Sequence, residues 1–112
     1  MTKIIQWYDF EKINMRVGTI INAQHFEKAR KPAYVLDIDF GPLGIKKSSA
    51  QITDHYTLEE LIGKQIIAVV NFPPKQIANV FSECLVLGVY ESNGNVVLLG
   101  SDKTVENGLK IG

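Results

Sequence analysis

Apolar and polar residues alternate with a two-residue period over much of this chain, the signature of strands with one buried face. From Arg16 to Phe26 the chain is rich in β-branched residues (Val17, Thr19, Ile20 and Ile21), which favour extended backbone. Gly18 interrupts that run, and a glycine inside a strand predicts a bulge or sharp bend. Tyr34 to Phe40 alternates cleanly: Tyr34, Leu36, Ile38 and Phe40 face one way, Val35, Asp37 and Asp39 the other. Gly41-Pro42-Leu43-Gly44 reads as a turn. Ile45 to Ala50 follows as a third strand carrying Lys46 and Lys47.

The period then changes. Thr57-Leu58-Glu59-Glu60 is a capping-box pattern, so one short helix is expected, ended at Gly63. Gln65 to Phe72 is apolar on both faces and reads as a central strand, stopped by Pro73-Pro74. Leu85 to Tyr90 is another apolar strand. Asn93-Gly94 marks a hairpin that returns through Val96 to Leu99. Three strands, a short helix and two or more strands is the order of a five-stranded Greek-key barrel, mainly all-β, with the helix between strands three and four. Two terminal extensions flank it. Ile4, Ile5, Trp7, Tyr8 and Phe10 precede the barrel, and Leu109 and Ile111 end the tail. Residues this apolar must be covered, by the chain's own barrel or by a partner subunit.

A length of 112 residues suits a single domain over 1–112, and an apolar fraction of 46% suits a folded one. Twelve basic and 12 acidic residues give zero formal charge. That balance excludes coating nucleic acid by bulk charge and leaves room for a local basic patch. The single cysteine, Cys84, permits neither an intrachain disulfide nor a cysteine zinc site. Gln6 and Asp9 break the amino-terminal apolar run, so no secretion signal is read there. No stretch reaches the roughly 20 apolar residues of a membrane helix. The expected setting is soluble, reducing and cytoplasmic, without membrane insertion.

Chemistry is sparse. There is no Gly-x-Ser-x-Gly elbow and no glycine-rich phosphate loop. Cys84, at the start of an apolar strand, reads as a buried, inert thiol. Asp54 and His55 are adjacent and would point to opposite faces of a strand, so His55 reads as a loop residue without a role. Asp37 and Asp39 read as a solvated outer face. The expectation is a protein that is not an enzyme, with no metal and no cofactor. The basic clusters say more: Lys28-Ala29-Arg30-Lys31 between strands one and two, Lys46-Lys47-Ser48-Ser49 on strand three, and Lys75-Gln76 after the prolines. In a Greek-key barrel the strand 2–3 face and the loop after strand four border one groove, where such barrels hold nucleic acid.

Two segments go beyond pattern. Met15-Arg16-Val17-Gly18-Thr19-Ile20 and the run Asn71-Phe72-Pro73-Pro74 through Ser82 to Leu87 resemble the tRNA-binding domain appended to some methionyl- and phenylalanyl-tRNA synthetases. Lys28 to Tyr34, Ile38 to Gly41 and Ser48 to Thr53 are similar to its CsaA-type branch, small dimeric proteins described as secretion-related chaperones. The resemblance runs from about Asp9 to the C-terminus. It implies an OB-fold, a tRNA or other structured RNA partner, chaperone-like handling of unfolded or pre-secretory polypeptides, and a homodimer. Carried over position by position, it implies nucleic-acid contacts at Ser48, Ser49, Asn71, Lys75 and Ser82, to which the clusters bordering the groove add Lys46, Lys47 and Gln76. Gln76 and Ala78 stand where the appended domains carry cations, and Asn79 and Cys84 replace glycines. The apolar residues around the same loop, Phe72, Pro73, Ile77 and Phe81, would hold a polypeptide, though Ile77 and Val80 also fit a role in covering the barrel end. Trp7, Phe10, Leu109 and Ile111 would form the dimer interface. A groove that takes RNA and one that takes mainly unfolded chain both remain open on the sequence.

Overall fold

The structure is a computed structural model that describes residues 2–112. Its centre is a nearly closed, five-stranded antiparallel barrel of OB type, as expected. Strands β1 (Met15–His25), β2 (Tyr34–Asp39) and β3 (Ile45–Ala50) form a meander. Helix α2 (Leu58–Leu61) follows, and β4 (Gln65–Val69) returns antiparallel to the first half of β1. Thr57 caps α2: its hydroxyl accepts from Glu60 N–H while Glu60 accepts from Thr57 N–H. Strands β5 (Lys75–Ile77) and β6 (Val80–Ser82) make a hairpin outside the barrel. Strand β7 (Leu85–Val86) pairs with β4, and β8 (Gly88–Tyr90) and β9 (Val96–Leu98) form the Asn-Gly hairpin, with Gly94 at φ +89°.

The core follows the alternation of β2. Leu36, Ile38 and Phe40 are fully buried against Ile20, Leu61 and Ile66. Val35 faces outward yet is also buried, in a second cluster with Phe26 and Ala33, which Ile77 and Val80 of the β5–β6 hairpin cover. Ile77 and Val80 thus do cover the barrel wall.

The bend in β1 is not at Gly18. Register shifts between Ile20 and Asn22, so the extra residue is Ile21, which the bulge turns outward to 44% exposure. Gly18 pairs regularly with Ile66 and is glycine for lack of room: a Cβ there would lie 2.7 Å from Ile38 Cγ2 and from the Phe40 ring. The central strand also ends earlier than its apolar run. After Val69 the chain leaves the sheet: Val70 N–H bonds Asn14 O, and Phe72 is exposed. The expected Leu85–Tyr90 strand is divided at Leu87, whose N–H bonds Ile67 O while its carbonyl accepts from Leu99.

The amino-terminal apolar run contains a helix the pattern did not announce, α1 (Trp7–Glu11), with the Asp9 carboxylate accepting from Gln6 N–H at 2.9 Å. The carboxy-terminal tail joins β1 as an added partner. Gly108 N–H donates to Val17 O, Leu109 O accepts from Val17 N–H, and Ile111 N–H donates to Met15 O.

Asp37 is not a free surface carboxylate. Lys47 Nζ donates to its Oδ1 at 2.7 Å and Asn22 Nδ2 to its Oδ2 at 3.2 Å. Burial alone would raise its pKa, but these hydrogen bonds and the Lys47 charge prevail and hold it below 3.8. His55, read as idle, pairs with the Glu91 carboxylate across to the β8–β9 hairpin.

Gly18→Ala is expected to lower the unfolding free energy by about 1–3 kcal/mol in urea titrations, as overpacking does; a loss under about 0.5 kcal/mol would show the Ile38–Phe40 contact to be soft. Asp37 binds its proton less readily folded than unfolded. Its contribution to stability is therefore complete well above pH 3.8 and is lost as the pH falls through its lower folded pKa. Thermal melts of Asp37→Asn should show lower stability at neutral pH and a shallower acid decline than the parent; parallel acid limbs would refute this.

Candidate nucleic-acid interface

The candidate surface is built where β3, the β5–β6 hairpin and the chain before β7 meet. The outer edge of β3 has no strand beside it over most of its length. The segment Ser82–Cys84 takes that place with mixed backbone and side-chain bonds. Glu83 N–H donates to Lys47 O at 2.8 Å, and Glu83 Oε1 accepts from Lys47 N–H at 2.9 Å. Ser82 Oγ accepts from Ser49 N–H and donates to Cys84 O, each at 3.3 Å. Ser48 Oγ donates to Cys84 O at 3.1 Å.

Cross-strand pairing in the hairpin sorts its side chains. Lys75 lies opposite Ser82, Gln76 opposite Phe81 and Ile77 opposite Val80. Successive residues point to opposite faces, so Lys75, Ile77, Val80 and Ser82 face the barrel and Gln76 and Phe81 face away. The turn is unusual: Ala78 sits at φ +51°, where glycine or asparagine is the common choice.

Between the hairpin and the barrel lies a groove of about 300 Å³, lined by Ser49, Phe72, Pro73, Lys75, Ile77, Ser82, Cys84 and Leu85. A second hollow, of about 510 Å³, shares Ser49 and Ile77 with it and runs on past Phe26, Ala78 and Gln51 to Lys28, Ala29, Arg30, Lys31 and Ala33. The two adjoin at Ser49 and Ile77, and the track they make has Lys75 toward one end and the Lys28–Lys31 loop toward the other. The ion pairs among the described residues are Lys12–Asp9, Lys47–Asp37 and His55–Glu91, so Lys28, Arg30, Lys31 and Lys75 have no carboxylate partner there.

The model of the family described as "Putative tRNA binding domain" matches residues 15–110. The chain belongs to this tRNA-binding domain family. Its fold is similar to that of a chaperone CsaA from Bacillus anthracis, with a TM-score of 0.94 and 51% identity over 98% of this chain and 100% of that one. A CsaA chaperone protein from Picrophilus torridus is 55% identical with a TM-score of 0.91, over 97% of this chain and 100% of that one. Among curated relatives, a methionine–tRNA ligase of Christiangramia forsetii is 34% identical over 110 residues, 98% of this chain. The chain spans only 15% of that ligase's length.

In this tRNA-binding domain the expected site residues divide. Ser49, Phe72, Pro73, Lys75, Ile77 and Ser82 come together in the groove. Ser48 does not, and is a correction: it is 1% exposed, with its hydroxyl held by Cys84 O in the barrel seam. Lys47 is held by Asp37, and Lys46 lines neither hollow. Gln76 and Phe81 lie on the outward face, away from the groove that Phe72 lines; a three-residue strand is too short for periodicity to reveal that split. Asn71 turns away from the groove and bonds the chain before β1. Leu85 and the Lys28–Lys31 loop also line the track; the loop is marked in the sequence by its basic cluster, whereas nothing local marks Leu85. Of the proposed interface residues, Trp7 is 68% and Leu109 47% exposed, while Phe10, tilted against Trp7 at 5.4 Å, and Ile111 are partly buried.

Cys84 borders the groove as a structural thiol. Burial, seconded by the neighbouring Glu83 charge, pushes its pKa up to about 11 against the weaker pull of Lys46 and Ser48. Iodoacetamide at pH 8 should therefore label the native domain far more slowly than the urea-unfolded chain; equal rates would mean the seam opens readily.

Proposed function

We propose that this chain binds structured RNA, tRNA first, along the track that runs from Lys75 and Phe72 past Ser49 and Ile77 to the Lys28–Lys31 loop. One observation carries the reading: four cations without carboxylate partners flank a groove with an exposed aromatic, Phe72, on a molecule of zero formal charge. Phosphates would be met by the lysines and arginine, and a base would stack on Phe72. This is a binding module and not an enzyme; the ligases it resembles are far longer chains in which the matching region is one part. The reading places the protein in the cytoplasm, where tRNA is.

A second reading is favoured by the groove floor. Phe72, Pro73, Ile77 and Leu85 offer apolar surface, with Phe72 at 55% and Leu85 at 49% exposure. Both CsaA relatives are named as chaperones. Unfolded or pre-secretory polypeptide would place apolar side chains there, with affinity that survives moderate salt because apolar burial is little screened. We further propose a homodimer through the terminal segments, since Ile4, Ile5, Trp7, Tyr8 and Leu109 leave large apolar surface in water.

Fluorescence anisotropy of labelled tRNA across salt concentrations tests the first reading. With four phosphate contacts, log affinity should fall against log salt with a slope of about −3 to −4, and Lys75→Ala or Arg30→Ala should each reduce that slope by about one. An unchanged slope in both variants would remove the track as the RNA site. Salt-resistant binding of an unfolded apolar peptide, without tRNA binding, would favour the second reading. Light scattering should report twice the chain mass of 12.5 kDa, and the chain mass itself would reject the dimer.

A further inference from the structure

We propose that Asn71 is a positioning residue that sets the groove loop by tying it to the segment between α1 and β1. Its side chain crosses to that segment with both amide ends engaged. Oδ1 accepts from Asn14 N–H at 3.0 Å and Nδ2 donates to Lys12 O at 2.7 Å. Beside it, Val70 N–H donates to Asn14 O at 2.9 Å. Three hydrogen bonds thus join residues 70–71 to residues 12–14.

Each end of this tie leads to a segment that lies outside the barrel ladder. On one side is α1, five residues long with no buried residue. A helix that short does not hold itself together in water, so its attachment decides where Trp7 and Tyr8 stand. Lys12, whose carbonyl Asn71 grips, is its carboxy-terminal cap. The segment is anchored onward as well: Asn14 Oδ1 accepts from Arg16 Nε at 2.7 Å, and Arg16 Nη1 donates to Gly108 O in the tail. On the other side, the next residues are Phe72 and Pro73, then Lys75, all lining the groove. The loop lies outside the barrel ladder, so the Asn71 amide is the nearest side-chain anchor for its first turn. Asn71 therefore acts on the groove through the placement of Phe72 and Lys75, and the terminal surface and the groove share one joint.

The functional arm of the test rests on the RNA-binding reading; a second arm does not. In the functional arm, tRNA affinity and salt slope are measured for Asn71→Ala, for Asn14→Pro, which deletes the N–H that Asn71 accepts, for the control Asn14→Ala, and for the double variant Asn71→Ala with Asn14→Pro. Each break is expected to weaken binding about tenfold, the size of a lost hydrogen bond. The salt slope should be unchanged, since no phosphate contact goes, Asn14→Ala, which keeps the N–H and gives up only the Arg16 contact, should lose clearly less than Asn71→Ala, and the double variant should be no weaker than either single. A multiplied loss of about a hundredfold, or a shallower slope, would mean that Asn71 touches RNA itself and overturns the proposal. Should Asn14→Pro fail to fold, Asn71→Asp replaces it: the Asn14 bond is kept, the Lys12 contact turns repulsive, and a loss with unchanged salt slope is expected. In the RNA-free arm, Trp7 is the only tryptophan, so its time-resolved anisotropy reports α1. Asn71→Ala should free Trp7 and speed amide exchange at Asn14 and Val70 while the barrel melts cooperatively. Unchanged Trp7 motion and exchange would sink the proposal whether or not tRNA binds. A parent protein that fails to bind tRNA at low salt while Asn71→Ala frees Trp7 would sink the RNA reading alone.

Discussion

The molecule depends on how the free edge of β3 is closed. A five-stranded sheet curled this far brings its two edge strands together, but β7 is only two residues long and cannot supply a full ladder. The Ser82–Cys84 segment completes the seam with one backbone bond, from Glu83 N–H to Lys47 O, and with the side chains of Ser48, Ser82 and Glu83 in place of the missing rungs. Side-chain rungs satisfy the polar edge that would otherwise invite another strand. They also fix where the β5–β6 hairpin emerges, since β6 runs directly into the seam. The hairpin then lays Ile77 and Val80 on Phe26 and Val35, and the groove is the space left between.

This arrangement separates two uses of charge within one neutral chain. Lys47 is held on the barrel wall by Asp37, whose carboxylate also accepts from Asn22 and so fastens β1, β2 and β3. Lys28, Arg30, Lys31 and Lys75 stand on the loop and hairpin, and none of them is paired with a carboxylate among the described residues. Zero net charge thus hides a local field, and the field sits where the backbone leaves the sheet. A ligand held there would meet few cations and a partly apolar floor, a combination suited to modest affinity that extended binding or a second subunit would strengthen.

The termini belong to the same design. The tail extends β1 past the point where β2 leaves it, with Gln65 reinforcing it through paired bonds to Val105 N–H and O. The amino-terminal segment has no such ladder and relies on the Asn14–Asn71 junction. Ile4, Ile5 and Trp7 meanwhile remain in solvent.

Much of the fold was legible from residue order because β2 and α2 carry local signals that agree with their tertiary roles: strict alternation from Tyr34 to Phe40, the Thr57–Glu60 box and the Asn93-Gly94 turn each specify one local geometry. The family signature in Arg16–Ile20 and Asn71–Leu87 includes several residues that line the groove. Its individual contacts were not legible. Ser48 and Ser49 are adjacent and equally polar, yet one is sealed in the seam and the other faces the groove, because burial depends on the Ser82–Cys84 segment that crosses them. Gln76 and Phe81 were sent outward by a three-residue hairpin whose turn lacks the usual glycine. Asn71 looked like a ligand contact and is held by a backbone segment 57 and 59 residues away. Local periodicity and turn chemistry determined the elements; which polar side chains stayed free was decided only when distant backbone came within hydrogen-bonding distance of them.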